Sequence, residues 1–125
     1  MNSKTLLLRQ VNPSWIQQDR LTSQVFRPTP KDEKLLSVYD GDMISAEAAW
    51  KHFTYGLHHA SVGVRAVTLH ECETLLLTAR SYPAPFTEHA VIDFSGHPEN
   101  QIKSVAKRLT RLADVRGWLY RPNFT

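Results

Sequence analysis

Thiols are almost missing from this chain of 125 residues: Cys72 stands alone, which excludes an internal disulfide framework and any knuckle of paired cysteines. Glycine is also sparse, and no Gly/Ser-rich linker, internal repeat or low-complexity tract interrupts the sequence, so one domain over residues 1–125 is expected. No apolar run approaches the roughly 20 residues of a membrane helix. The opening MNSKTLLLRQV has three leucines before Arg9 and Gln10, too few for the apolar core of a signal peptide. These absences lead to the expectation of an unprocessed cytoplasmic protein with no membrane attachment. Reaction-defining motifs are lacking too. The six histidines include no HExxH spacing, so no metal site is expected, and neither Ser23 nor Ser37 lies in a nucleophile elbow, which argues against serine hydrolysis. Glu71 and Glu73 flank Cys72 and would raise its thiol pKa, which argues against a catalytic cysteine.

What is present suffices for one core: 42% of residues are apolar, enough at this length to fold without metal or disulfide staples. The net charge of +3 is uneven. Residues 98–125 carry six Lys and Arg against Glu99 and Asp114, whereas residues 1–97 carry nine against ten acids. The surplus therefore lies at the C-terminal end, where it can attract phosphate or an acidic partner.

Periodicity divides the chain into strands and helices. Residues 5–11 form a poorly alternating apolar run, as in a central strand, and Asn12 with Pro13 then starts one helical turn carrying Trp15 and Ile16 inward. A second strand is expected over residues 21–26, with Thr22, Gln24 and Phe26 on one face and Ser23 and Val25 on the other. After a proline-rich loop and the charged 31–34 turn, residues 35–39 read as a strand. Ser45 caps a helix whose stripe is Ala46, Ala49, Trp50, Phe53 and Leu57. A β-branched strand over 61–69 leads into a capping box of Thr68 and Glu71 and a short helix to residue 76. Strands follow at 77–82 and 89–94. Pro98 at a first helical position and Gly117 bracket a long helix, with Lys103, Lys107 and Arg111 along one side, and residues 118–120 return as an extended segment. The expected fold is α+β, with a mixed or mostly antiparallel sheet of about five strands packed by two main helices.

Four groups of residues can carry chemistry. Arg9, in an apolar strand, is costly to bury without a partner, and its fork suits a phosphate or carboxylate. Ser23, Gln24, Ser37 and Tyr39 can converge on one ligand if their strands adjoin. His89, at the start of a strand after a proline loop, is the best-placed acid or base, with Glu88 beside it. Lys103, Lys107 and Arg111 offer a row of cations to nucleic acid, without interleaved aromatics. Each group also has a plain structural reading: a paired Arg, a polar sheet surface, a satisfied histidine and a solvated helix face.

The segments LLLRQVNPSW, TSQVF, LSVYD, VGVRAVT and PAPFTEHAVI, with the closing basic helix, resemble a family of short bacterial proteins. The resemblance spans nearly the whole chain and implies a bacterial source, but transfers no activity. Arg9 and the Thr22, Ser23 pair resemble, more weakly, two elements of ADP-ribosyltransferase-like folds and RNA 2′-phosphotransferases. That likeness implies contacts to NAD phosphate and ribose, but its late Glu-x-Glu or Gln-x-Glu is missing and Glu88 is only a positional substitute. The leading expectation is a small binding or accessory protein, of a kind linked to defence or toxin systems, whose residues 20–40 recognise a protein partner or a small nucleotide-like ligand. An NAD- or nucleotide-dependent enzyme and a nucleic-acid binder are the alternatives. No motif specifies a cofactor.

Overall fold

The computed structural model describes residues 1–122, and the first two strands already set its plan. Strand β1 (Leu6–Gln10) is apolar on both faces because it lies inside the sheet and is covered from both sides. Its neighbours come from distant sequence. Two short strands, β2 (Ile16–Gln17) and β3 (Arg20–Leu21), pair only with each other, and β4 (Leu35–Asp40) then lies antiparallel to β1. Helix α1 (Ala46–Lys51) precedes β5 (Val64–Thr68), helix α2 (Leu69–Thr74), β6 (Thr78–Ser81), β7 (His89–Asp93) and helix α3 (Glu99–Arg116). The main sheet has the order β5-β1-β4-β7-β6 and is antiparallel throughout, so the expected α+β class is correct.

Each sheet face has its own core. Under α3, Ile102, Val105, Ala106, Leu109 and Ala113 meet Leu7, Leu36, Val38, Ala90 and Ile92. On the other face, Ala49 and Trp50 of α1 pack with Leu8, Tyr39, Val64 and Ala66. Period-two geometry thus sends Leu36 and Val38 to α3, and Ser37 and Tyr39 to the α1 side.

Several expected elements are corrected. Residues 21–26 are not a strand: after β3 the chain forms a 3-10 turn, Ser23–Phe26, which buries both Val25 and Phe26 against α3 and β1. Adjacent apolar residues that must enter one core favour such a turn over the alternating faces of a strand. Strand β5 starts at Val64, not Ser61, because Gly63 holds φ +155, and a Cβ there would lie 2.7 Å from Tyr120 O and 2.8 Å from the Trp118 ring. Pro98 is the N-cap of α3, with extended backbone, one position ahead of the first helical turn.

Other local signals hold. Ser45 Oγ accepts from Ala48 N, and Thr68 and Glu71 form the reciprocal capping box. Residues 118–120 return as expected, with Val64 N donating to Tyr120 O and Leu119 N to Val64 O.

Glu71 has a second role, tying the start of α2 to the end of α3: Arg116 Nη1 and Nη2 donate to its two oxygens at 2.8 and 3.1 Å. Burial alone would raise the Glu71 carboxyl, but the hydrogen bonds from Arg116 and Thr68 outweigh it and hold the pKa below the ordinary value. A depressed acid stabilises the fold above its unfolded pKa and loses that contribution as pH falls through its folded pKa. Glu71→Gln is therefore expected to be less stable than the parent at pH 7. Thermal unfolding should show the two melting points converge as pH drops below the ordinary carboxylate range.

Candidate functional site

β1 and β4 pair at only two positions, Leu7 with Asp40 and Leu8 with Tyr39, and then diverge. Two steps further, where Gln10 would continue the ladder opposite Ser37, the Arg9 side chain takes its place: Nη1 donates to Ser37 O at 2.9 Å and Nε to Val25 O at 2.7 Å. The guanidinium also lies 5.0 Å from the centre of the Trp15 ring. Burial lowers its pKa to about 10, with Asp32 opposing the shift, so it stays charged at neutral pH.

The gap between the strands opens a cleft of about 200 Å3 on the α1 side, lined in part by Gln10, Ser37, Tyr39, Phe53, Phe86 and His89, with Arg9 at its edge. Three local features shape it. Alternation along β4 puts Ser37 and Tyr39 on this face, and the register sets Tyr39 opposite His89 and Ser37 opposite Val91. Helix α1 ends in a π-helical turn, His52–Gly56, where Leu57 N reaches back to His52 O at 2.9 Å; the wider turn brings His52 to Tyr39 and Phe53 to the cleft. The expected stripe holds for Ala46, Ala49, Trp50 and Phe53, which pack in one core, and only Leu57 leaves it, 36% exposed and lining the cleft. Phe86, from the proline loop, stacks on Tyr39 with ring centres 5.1 Å apart.

The cleft's polar groups are ordered. His89 is 8% exposed, and its Nδ1 lies 2.8 Å from Tyr82 O. A carbonyl only accepts, so Nδ1 carries a proton, and in the neutral ring Nε2 accepts from Ser37 Oγ at 3.1 Å. Ser37 itself is exposed. Tyr39 Oη bonds His52 Nδ1 at 2.8 Å, and burial, followed by the charge of Glu88, pushes its phenol well above the ordinary value, so it remains protonated. Among the described residues two buried side-chain atoms lack a hydrogen-bond partner, Gln10 Nε2 and Arg65 Nε, and Gln10 lines this cleft. Its Oε1 accepts from Ser61 Oγ at 2.7 Å.

Of the candidates read from the sequence, Arg9, Ser37, Tyr39 and His89 share this cleft, whereas Ser23, Gln24 and Glu88 do not line it. Because 23–26 is a 3-10 turn, Gln24 points away beside Arg27 and Pro28 in a groove of about 510 Å3. Ser23 faces α3, in a groove of about 630 Å3 lined also by Arg20, Lys103, Lys107, Thr110 and Arg111. Residues 20–40 therefore do not form one wall. Glu88 is half-buried and holds the strand entry through its carbonyl, which accepts from Asp40 N at 2.8 Å. Sequence reasoning missed Gln10, Phe53 and Phe86. Gln10 in an apolar strand was the available signal, whereas Phe53 looked like an ordinary core position.

No helix among the described residues is long and apolar enough to cross a membrane. No family model, curated protein or solved structure matches this chain.

Proposed function

We propose that this protein binds a small planar molecule bearing a carbonyl or carboxylate, in the cleft between the diverging ends of β1 and β4. The observation carrying this reading is the meeting of the Ser37 hydroxyl, the His89 ring and the partly unpaired Gln10 amide between the aromatic walls Tyr39, Phe53 and Phe86. Its volume of about 200 Å3 sets the ligand size, below the roughly 300–1,000 Å3 of sites for drug-sized molecules. A dinucleotide is poorly served here: Arg9 already donates to Val25 O and Ser37 O, and no carboxylate among the described residues lines the cleft to support an oxocarbenium centre.

Aromatic carbonyl fragments of about a dozen non-hydrogen atoms are expected to bind with Kd of about 2 mM, from about 0.3 kcal/mol per atom. Amide NMR titration should move Ser37, Phe53, Phe86 and His89 together, and Phe86→Ala should weaken binding about tenfold by removing one wall. Shifts scattered over the surface, or unaffected by Phe86→Ala, would count against the site.

A second reading, nucleic-acid binding, rests on the groove beside α3, where Arg20, Lys103, Lys107 and Arg111 face Asp114 and the Ser23 turn. If these four cations meet phosphates of single-stranded RNA, log affinity should fall with log salt at a slope of about −3. Replacing Lys103, Lys107 and Arg111 with Gln should flatten that slope to about −1. A slope that does not change would remove this reading.

A further inference from the structure

The relay from Ser37 through His89 to Tyr82 O lies in the proposed cleft, and its chemistry goes beyond holding a ligand. We propose that Ser37 and His89 form a nucleophile and base pair that accepts a short acyl group from an activated ester. This rests on the same cleft being the binding site. A hydroxyl is a weak nucleophile until a neighbouring base takes its proton, and three observations meet that need. Ser37 is exposed while its Oγ lies 3.1 Å from His89 Nε2. The Nδ1 contact to Tyr82 O at 2.8 Å fixes the tautomer that leaves Nε2 free to accept. The same residues are linked by a backbone bond, Tyr82 N to His89 O at 2.9 Å, which holds the ring's base in place. Gln10 also lines the cleft, and its amide nitrogen is buried without a partner.

In the first step Ser37 Oγ bonds to the ester carbonyl carbon, the C=O π pair moves to oxygen, and the Oγ proton passes to His89 Nε2. The oxygen pair then re-forms the carbonyl, the bond to the leaving oxygen breaks, and the alcohol or phenol takes the proton from Nε2. In the second step water attacks the acyl group on Ser37 and gives its proton to Nε2. Collapse of that adduct releases the acid and returns the proton to Oγ, so ester and water become acid and alcohol. The Nδ1 partner is a neutral carbonyl rather than a carboxylate, and it stabilises the imidazolium less. Acylation is accordingly expected to outrun deacylation only with good leaving groups, and overall turnover to be slow.

The test uses p-nitrophenyl acetate with the full chain, following p-nitrophenol release and mapping the acetyl group by peptide mass spectrometry. A burst stoichiometric with protein is expected, with the acetyl group on Ser37. Ser37→Ala, at an exposed position, should fold normally and release p-nitrophenol about 100-fold more slowly. Ser37→Cys should restore the burst through a thioester. Acetyl groups found only on lysines or the N-terminus, or release unchanged in Ser37→Ala, would overturn the pair. A parallel NMR titration with 4-nitroacetophenone, a ketone that transfers no acyl group, separates the two readings. If it moves Ser37 and Phe86 but no acetyl reaches Ser37, the pair fails and the cleft stands; if it moves neither and nothing is acylated, both fail.

Discussion

Phe26→Ala is expected to lower the unfolding free energy by about 3–5 kcal/mol, whereas Gln24→Ala two positions earlier should change it by less than about 0.5 kcal/mol. Phe26 is fully buried in the core beneath α3, and Gln24 is exposed. Val25 supplies the sharper comparison. A strand would send Val25 and Phe26 to opposite faces and leave one of them replaceable, but the 3-10 turn Ser23–Phe26 buries both. Val25→Ala should therefore also be costly, by about 2 kcal/mol for lost burial and the cavity left behind. Urea titration of the three variants checks this, with the slope unchanged so that the midpoints report stability. Equal losses from Gln24→Ala and Val25→Ala would mean that the segment does not adopt this turn.

Arg9→Met should cost about 3 kcal/mol, a stability effect at a position read from the sequence as a candidate phosphate clamp. Two donors of the guanidinium serve Val25 O and Ser37 O, and hydrogen bonds from charged groups contribute about 1.5–3 kcal/mol each. The contact with Trp15 adds to this. Part is offset because a partly desolvated cation is removed, and the pKa lowered to about 10 reflects that cost. Met keeps the apolar stem but leaves both carbonyls without their partner. Arg9→Lys should recover little, because one ammonium cannot reproduce the planar fork that spans the 3-10 turn and β4. A loss below about 1 kcal/mol in denaturant titration would show that solvent can replace the guanidinium, and Arg9 would then be available for a ligand after all.

Where a local rule decides the outcome, the reading from residues was reliable. The Thr68 and Glu71 box, the Ser45 cap, the apolar stripe of α3 and the apolar run of β1 each depend on contacts within a few residues or on periodicity. The strand assigned to residues 21–26 failed because Thr, Val and Phe have the propensity for extended structure, while the packing of Val25 and Phe26 under α3 demanded a turn. The stripe of α1 holds through Phe53 and is lost at Leu57, because a helix pattern assumes 3.6 residues per turn and the π turn between them does not keep it. The candidate site was legible in part. Ser37, Tyr39 and His89, candidates by their chemistry, meet in one cleft, but Ser23 and Gln24 lie outside it because their segment is not a strand beside β4.

By itself, then, the sequence determined the α+β class, the capped starts of α1 and α2, the Gly117 end of α3, the two-faced burial of β1 and the basic side of α3, all consequences of short-range patterning. Only the tertiary structure decided that β1 and β4 separate beyond Leu8, that Arg9 bridges the gap, and that Ser37 lies 3.1 Å from His89, 52 residues further along the chain. No spacing rule connects that serine to that histidine. Their meeting depends on the register of β4 with β7, and a shift of one residue there would turn one of the two side chains to the opposite face.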